Sequence, residues 1–290
     1  MGEYIEHVTG VVRAYIQEPG GWFLNNAGWV AGTERTLLVD TLATEARTQR
    51  LLAALHADAG AKPLTAAITH AHGDHANGAN QVSALGGAVL ATSPAAVTIA
   101  AGPHTYDMAF ECSTWGDISP AEITETVTSP LRLDLGGLHA DVLPVPGKAH
   151  TDGDLVVHVP GEGVLFTGDL VFAEVTPLAL HGSLRGWLAA LEWLAALPHE
   201  HLVPGHGPVL PAGSTHLEQL AEYLQWLLDN AERPGADRVA KQQWAHWSEG
   251  ERHVANLVVA AAELRGEPVS LPAVISAMLT EVGGRIPLAI

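Results

Sequence analysis

Cysteine is almost absent. Cys112 stands alone among 290 residues, so no disulfide can form within the chain. A reducing compartment is the simplest expectation, and the cytoplasm fits it. Basic residues are scarce as well: Lys and Arg number 14 against 32 Asp and Glu, a formal net charge of −18. A surface of that sign repels phosphate backbones and anionic headgroups, which argues against nucleic acid and membrane surfaces as partners. No uncharged apolar run reaches the roughly 18 residues that a bilayer span requires. The opening stretch MGEYIEHVTGVVRAYIQ has no basic segment leading into an apolar one, so no signal peptide is expected.

What is present is an apolar share of 47%, enough for a sizeable core in one large domain, and 16 histidines. So many histidines make any single one uninformative, and spacing has to carry the weight. Residues 9–42 read as three short strands, 43–60 as an amphipathic helix ending at Gly60, and 64–70 as a short buried strand. A helix is expected from His75 to Gly86–Gly87, then a strand and a helix opening at Pro94. Residues 102–130 show aromatics, Met and Pro without period and read as a long surface excursion. Strands return from 131, an amphipathic helix covers 183–197, and the chain after 212 is mostly helical. Two strand-rich halves with helices outside predict an α/β fold of two packed sheets. The expected division is a catalytic domain over residues 1–212 and a helical extension over 213–290.

Residues 69–78 read THAHGDHANG. At period two along a strand end, His70 and His72 project to one side, while Gly73 turns the chain and places Asp74 and His75 beside them. That suits two adjacent metal ions better than one, and imidazole with carboxylate suits zinc, with iron or manganese as alternatives. Further donors sit at strand ends among small residues: His150 in KAHTDGD, Asp169 in FTGDL and His206 in VPGHGPV. Five imidazoles and two carboxylates can supply two incomplete tetrahedral shells with one carboxylate shared. Thr69, Thr151 and Asp152, each next to one of these groups, are candidates to orient them.

The run His70-Ala71-His72-Gly73-Asp74-His75 resembles the HxHxDH motif of the metallo-β-lactamase-fold superfamily, and His150, Asp169 and His206 match its later motifs. The resemblance covers roughly residues 5–212. It implies an αββα sandwich with His70, His72 and His150 on one zinc, Asp74, His75 and His206 on a second, and Asp169 bridging them. It also implies attack on an acyl carbonyl through a hydroxide shared by the two ions, with Asp74 orienting it and accepting its proton. Zinc β-lactamases lack the bridging aspartate and several use a cysteine ligand, whereas Cys112 lies away from every motif and reads as structural. Glyoxalase II-like members bind glutathione through basic residues near the C-terminus, and this tail is poor in them. The stretches GGWFLNNAGWVAG, TLATEARTQR and ERHVANLVVAAAELRG are similar to the cyclase/thioesterases of bacterial aromatic polyketide pathways, of the actinorhodin second-ring type. That likeness implies a thioesterase and aldol cyclase in antibiotic biosynthesis; a generic lactonase or small-ester hydrolase is the alternative. An iron-dependent sulfur dioxygenase and a non-catalytic metal scaffold are further alternatives. The substrate is then a small-molecule or carrier-bound thioester. Because carrier proteins are themselves acidic, a chain of this charge favours free thioesters or brief encounters.

For substrate contacts the candidates are Trp22, Asn25 and Asn26 in the early hairpin, Tyr106 in the excursion and Arg185 in GSLRGW, where an anion could bind. Met108, Phe110 and Trp115 would complete a lid with Tyr106, and His104 or His181 could transfer protons. The helical tail could also support a homodimer.

Overall fold

The computed structural model describes residues 2–288 and 290. The chain begins as a meander of β1 (Glu3–His7), β2 (Val12–Gln17), β3 (Ala27–Ala31) and β4 (Thr36–Val39). Helix α1 (Glu45–Ala59) follows, its first turn capped by the Thr44 hydroxyl, which accepts from the Arg47 amide. Next come β5 (Leu64–Ala67), α2 (Gly73–Ala76), α3 (Ala79–Ala84), β6 (Ala88–Ala91) and α4 (Ser93–Ala101). The excursion holds only β7 (Phe110–Glu111) and β8 (Glu125–Thr126). The first sheet runs β1-β2-β3-β4-β5-β6-β8. The second is built from β9 (Leu131–Asp134), β10 (His139–Pro144), β11 (Leu155–Val159), β12 (Val164–Phe172), β13 (His201–His206) and β14 (Leu210–Pro211), in the order β14-β13-β12-β11-β10-β9.

Alternation within the strands makes the sandwich. Val12, Ala14, Ile16, Leu37 and Val39 of the first sheet meet Val142, Val157, Val164, Phe166 and Val203 of the second in one buried layer. On the outer face of the first sheet, Trp29, Leu38 and Ile68 pack on Leu51, Leu55 and Val82 of α1 and α3. On the outer face of the second, Val156, Leu165 and Leu202 pack beneath α5 (Leu184–Ala195) and α6 (His216–Asn230). The remaining helices are α7 (Ala236–Gln243), α8 (Arg252–Arg265) and α9 (Leu271–Val282). Trp187, Tyr223, Leu227, Trp244 and Val259 share one apolar cluster, so the helices after residue 212 pack against this same face. Strand β15 (Ile286–Pro287) returns to pair in parallel with β7, Ile286 opposite Phe110. The fold is thus the mixed α/β sandwich expected.

Two local expectations need correction, and one strand lies outside the segments read from the sequence. The segment from His75 to Gly87 is two short helices, not one: the Asn77 side chain bonds outward to the backbone of His104, and the chain breaks at Gly78. Strand β5 ends at Ala67, so His70 and His72 stand in a loop and are not aimed by strand alternation. Strand β1 carries no apolar pattern because its residues are nearly all exposed, and it is held by pairing with β2 from Glu3↔Gln17 to His7↔Arg13.

Candidate metal centre

The loop that replaces the expected strand end is pinned from below. Asp40 follows β4 with φ +61°, an uncommon conformation for a residue with a Cβ. Its Oδ1 accepts from the Thr69 amide at 2.7 Å, and its Oδ2 accepts from the Thr69 hydroxyl at 2.8 Å. The same Oδ2 lies 2.8 Å from His75 Nδ1. One buried carboxylate therefore fixes both the loop and the first imidazole of α2. A lone aspartate after a strand gives no such signal in a sequence, and Asp40 is absent from the residues singled out there.

Two groups of donor atoms result. His70, His72, His150 and Asp169 form one, and Asp74, His75 and His206 form the other; within each, one ligand atom per residue lies within 4.8 Å of the rest. His72 Nδ1 lies 3.1 Å from His70 Nε2 and 3.0 Å from His150 Nε2. Asp74 Oδ2 lies 3.3 Å from His206 Nε2 and 3.9 Å from His75 Nε2. Asp169 stands between the groups. Its Oδ2 is 3.4 Å from His150 Nε2 and 3.7 Å from His70 Nε2, while its Oδ1 is 3.1 Å from His75 Nε2 and 3.4 Å from His206 Nε2. Donors at about 2.0–2.1 Å from a tetrahedral zinc are separated by about 3.3 Å from one another, so these spacings match the edges of two coordination shells.

Unsatisfied atoms point the same way. His75 Nε2 and Asp169 Oδ1 are buried and close, yet neither has a hydrogen-bond partner. Buried polar atoms left in this state are costly, and a cation between them removes the cost. Burial keeps the pKa of His70, His72 and His150 well below the ordinary value, so these rings are neutral and offer lone pairs. Burial also opposes charge on His75 and His206, but the Asp169 carboxylate, with Asp74 and, for His75, Asp40, outweighs it. The pKa of His75 rises well above the usual value and that of His206 to about 8. Without ions, protons on these two rings balance the carboxylates; divalent ions would displace them. The donor set fits two such ions.

Neighbours orient the rings. His70 Nδ1 lies 3.1 Å from the Thr69 hydroxyl, His206 Nδ1 lies 2.9 Å from the Gly20 carbonyl, and His72 Nε2 lies 2.9 Å from His181 Nδ1. Small residues make the room: a Cβ at Gly205 would lie 2.0 Å from Asp169 Oδ1, and one at Gly168 would lie 2.4 Å from the Thr69 hydroxyl. Thr151 bonds instead to Asp154, and Asp152 pairs with Lys148 at the surface, so neither orients a ring.

A cavity opens over both groups, lined by His72, Asp74, Asp169 and His206 at its base. Its walls include Trp22, Phe23, Tyr106, Phe110 and Phe172, with Val274, Ile275 and Met278 from α9. Trp22, Tyr106 and Phe110 therefore line the cavity beside the donor groups. The other expected contacts do not. Asn25 is fully buried, and its amide donates to the carbonyls of Asn26 and Thr41. Asn26 donates to the carbonyls of Pro204 and Gly207 at 3.0 and 2.7 Å, clipping the hairpin to the His206 turn. Arg185 is exposed on α5 and pairs with Glu263 at 3.5 Å. Met108 is exposed, and Trp115 packs edge-on against Phe23 behind the wall. His104 bonds to the Thr98 carbonyl. Cys112, half-buried, is not among the clustered donors. Missed entirely by sequence reasoning is Arg252, which lines the cavity from the start of α8. Among the described residues no helix is long and apolar enough to cross a membrane.

The family model of the metallo-beta-lactamase superfamily matches residues 20–206. A hydroxyacylglutathione hydrolase of Fuscovulum blasticum is 32% identical over 177 residues, 61% of this chain and 59% of that protein. One of Erythrobacter litoralis is 31% identical over 136 residues, 47% of this chain and 45% of that protein. The chain thus spans about half the length of the curated relatives it matches. A solved metallo-beta-lactamase from Pontibacter korlensis superposes with a TM-score of 0.64 at 21% identity, over 77% of this chain and 99% of that one, a likeness of fold.

Proposed function

This chain belongs to the metallo-beta-lactamase superfamily, and from that premise we propose that it is a dinuclear metal-dependent hydrolase of acyl thioesters. The observation that carries the reading is Asp169, whose two oxygens face the two histidine groups separately. His70, His72 and His150 would hold one ion, Asp74, His75 and His206 the other, and zinc, iron and manganese all suit these donors. When bound, such ions supply a water acidic enough to attack at neutral pH and polarise the carbonyl under attack. Asp74, ionised and facing the cavity, orients the attacking water and accepts its proton. His181 holds the His72 ring with Nδ1 turned inward.

Two observations support a thioester over an alkyl ester or lactone. The curated relatives are named for cleaving an acylglutathione, itself a thioester. And among the described residues no ready proton donor for a leaving group lines the cavity beyond the ligand groups: burial pushes the Tyr106 hydroxyl well above its ordinary pKa, and Arg252 stays a guanidinium cation at neutral pH. A thiolate can leave without a proton. The aromatic wall of Trp22, Tyr106, Phe110 and Phe172 suits a flat, bulky acyl group. An aromatic polyketide thioester is such a group, and its aldol ring closure is a second activity we assign to the same centre on the strength of that wall.

The test is thiol release from an aromatic N-acetylcysteamine thioester, set against a panel of lactones, on zinc-loaded and on chelated protein. Zinc-dependent thiol release with little lactone opening is expected. Lactone opening without thiol release would overturn the reading.

A further inference from the structure

Arg252 is only 2% exposed, yet its guanidinium is nearly without partners. One nitrogen donates to the Thr176 carbonyl at 2.9 Å, and Nε has no hydrogen-bond partner. Among the described residues no carboxylate forms an ion pair with it. The two nearest acids in sequence are engaged elsewhere. Glu251 accepts from Trp22 Nε1 at 2.6 Å, and Glu249, held by Glu251, would meet a Cβ at Gly21. Instead of a counter-ion, the guanidinium has aromatic faces: it lies 4.1 Å from the centroid of Trp22 and 5.9 Å from that of Phe172. Phe172 in turn stacks on His206, the rings 3° from parallel with centroids 5.1 Å apart. Trp22, Arg252, Phe172 and His206 thus form a layered wall of the cavity that ends at the metal centre.

A buried cation without an ion-pair partner is expensive to maintain. Burial works against its charge; Glu249 and Glu251 attract it most without pairing with it, and the weaker pull of Asp169 and Asp74 would be cancelled by ions bound between them. With the Trp22 ring centroid 4.1 Å from the guanidinium carbon and Nε unpartnered, the planar fork keeps donors for a ligand in the cavity it lines. We propose that Arg252 binds an anionic group of the substrate, a carboxylate, and thereby selects thioesters that carry one close to the scissile carbonyl. The inference rests on the thioester reading of the same site. The carboxylate can belong to the acyl group or to the leaving thiol, since both halves of a thioester flank the metal centre.

The direct test does not depend on turnover. Isothermal titration calorimetry would follow equilibrium binding of 2-naphthalenesulfonate and of its neutral methyl sulfone to the metal-loaded protein, to Arg252→Met and to Arg252→Lys. Any contribution of the ions is common to all three proteins, so the difference of differences isolates Arg252. The parent should prefer the anion by roughly 10- to 100-fold, the range for a hydrogen-bonded charge. Arg252→Met should lose that preference while binding the sulfone as before, and Arg252→Lys should keep part of it. Equal binding of both probes by the parent, or a preference that survives in Arg252→Met, would overturn the proposal.

Kinetics then locate the anion. One pair of thioesters differs by a carboxylate against its methyl ester on the acyl group, a second pair by the same change on the thiol. A kcat/KM preference in either pair that vanishes in Arg252→Met supports the proposal, and its absence in both overturns it. If no thioester is cleaved at all, the thioester reading fails, while the binding experiment still decides the role of Arg252.

Discussion

Replacing Asp40 by Asn should remove the second metal ion while leaving the first. In the parent, Asp40 accepts three hydrogen bonds: Oδ1 takes the Thr69 amide, and Oδ2 takes the Thr69 hydroxyl and faces His75 Nδ1 at 2.8 Å. A carboxylate has only acceptors, so His75 must keep a proton on Nδ1 with or without ions, and Nε2, 3.1 Å from Asp169, is the nitrogen whose proton an ion would displace. Asparagine has one oxygen and one NH2. If its oxygen stays on the Thr69 amide, its NH2 faces His75 Nδ1, and the imidazole must shift its proton to Nε2, where it blocks the ion. If the amide flips, NH2 meets the N–H of Thr69 and the 68–72 loop is pushed out of place. Either way the second group loses an oriented ligand. Disturbing such an orienting partner costs about 10- to 100-fold in metal affinity, about 1.4–2.7 kcal/mol. The assay is zinc titration of chelated protein in competition with a chromophoric chelator, which resolves the two binding steps. A second-step Kd unchanged from the parent would refute the tautomer reasoning.

Gly205→Ala should have a similar result by a steric route. The added Cβ would lie 2.0 Å from Asp169 Oδ1 and 2.8 Å from the Asp169 amide, so the carboxylate must leave its position. Metal content should fall below two ions per chain and kcat/KM should drop on the order of 100-fold. Asn26→Ala should cost stability and not catalysis: it strands the buried carbonyls of Pro204 and Gly207, worth about 1–3 kcal/mol in denaturant unfolding. The kcat/KM of the folded variant should be unchanged. Finally, pH should separate the loaded and chelated proteins. In chelated protein the pKa of His206 rises from 6.5 to about 8. Its charge therefore stabilises that state fully below pH 6.5, and the benefit is lost as pH rises through about 8. The loss is about 2 kcal/mol. The loaded protein has no such proton to lose, so the gap in Tm between the two should widen from pH 6.5 to 8 in differential scanning calorimetry.

The donor groups were legible because the chemistry is written locally. His70, His72, Asp74 and His75 are neighbours in sequence, and His150, Asp169 and His206 each stand beside small residues, His150 in a loop and His206 at a strand end as expected, whereas Asp169 lies inside β12 and not after it. The sandwich was legible for the same reason, since alternation of apolar residues is a local pattern. The mechanism of placement was not. Asp40 acts through its left-handed backbone and through Thr69, 29 positions away, and nothing in VDT distinguishes it from any aspartate that ends a strand. Arg252 is the charged first residue of a mostly apolar helix, a place that reads as solvent-facing; only the packing of α8 over Trp22 and Phe172 makes it a wall of the cavity. Asn25 and Asn26 misled because polar residues in a hairpin near a site suggest contacts with ligand. Here they supply hydrogen bonds that buried carbonyls of the turn require. Arg185 misled because Ser183 and the amides of Leu184 and Arg185 find their partner in Glu263, 80 positions beyond Ser183.

The central claim is that two ions, held by seven side chains with Asp169 shared, make this chain a thioester hydrolase. The measurement that tests it most directly is stepwise addition of zinc to chelated protein while thiol release from an aromatic thioester is followed. The account predicts no release without zinc, a rise that saturates at two ions per chain, and no second ion in Asp169→Ala. Thiol release from metal-free protein, or full activity with Asp169 removed, would contradict it.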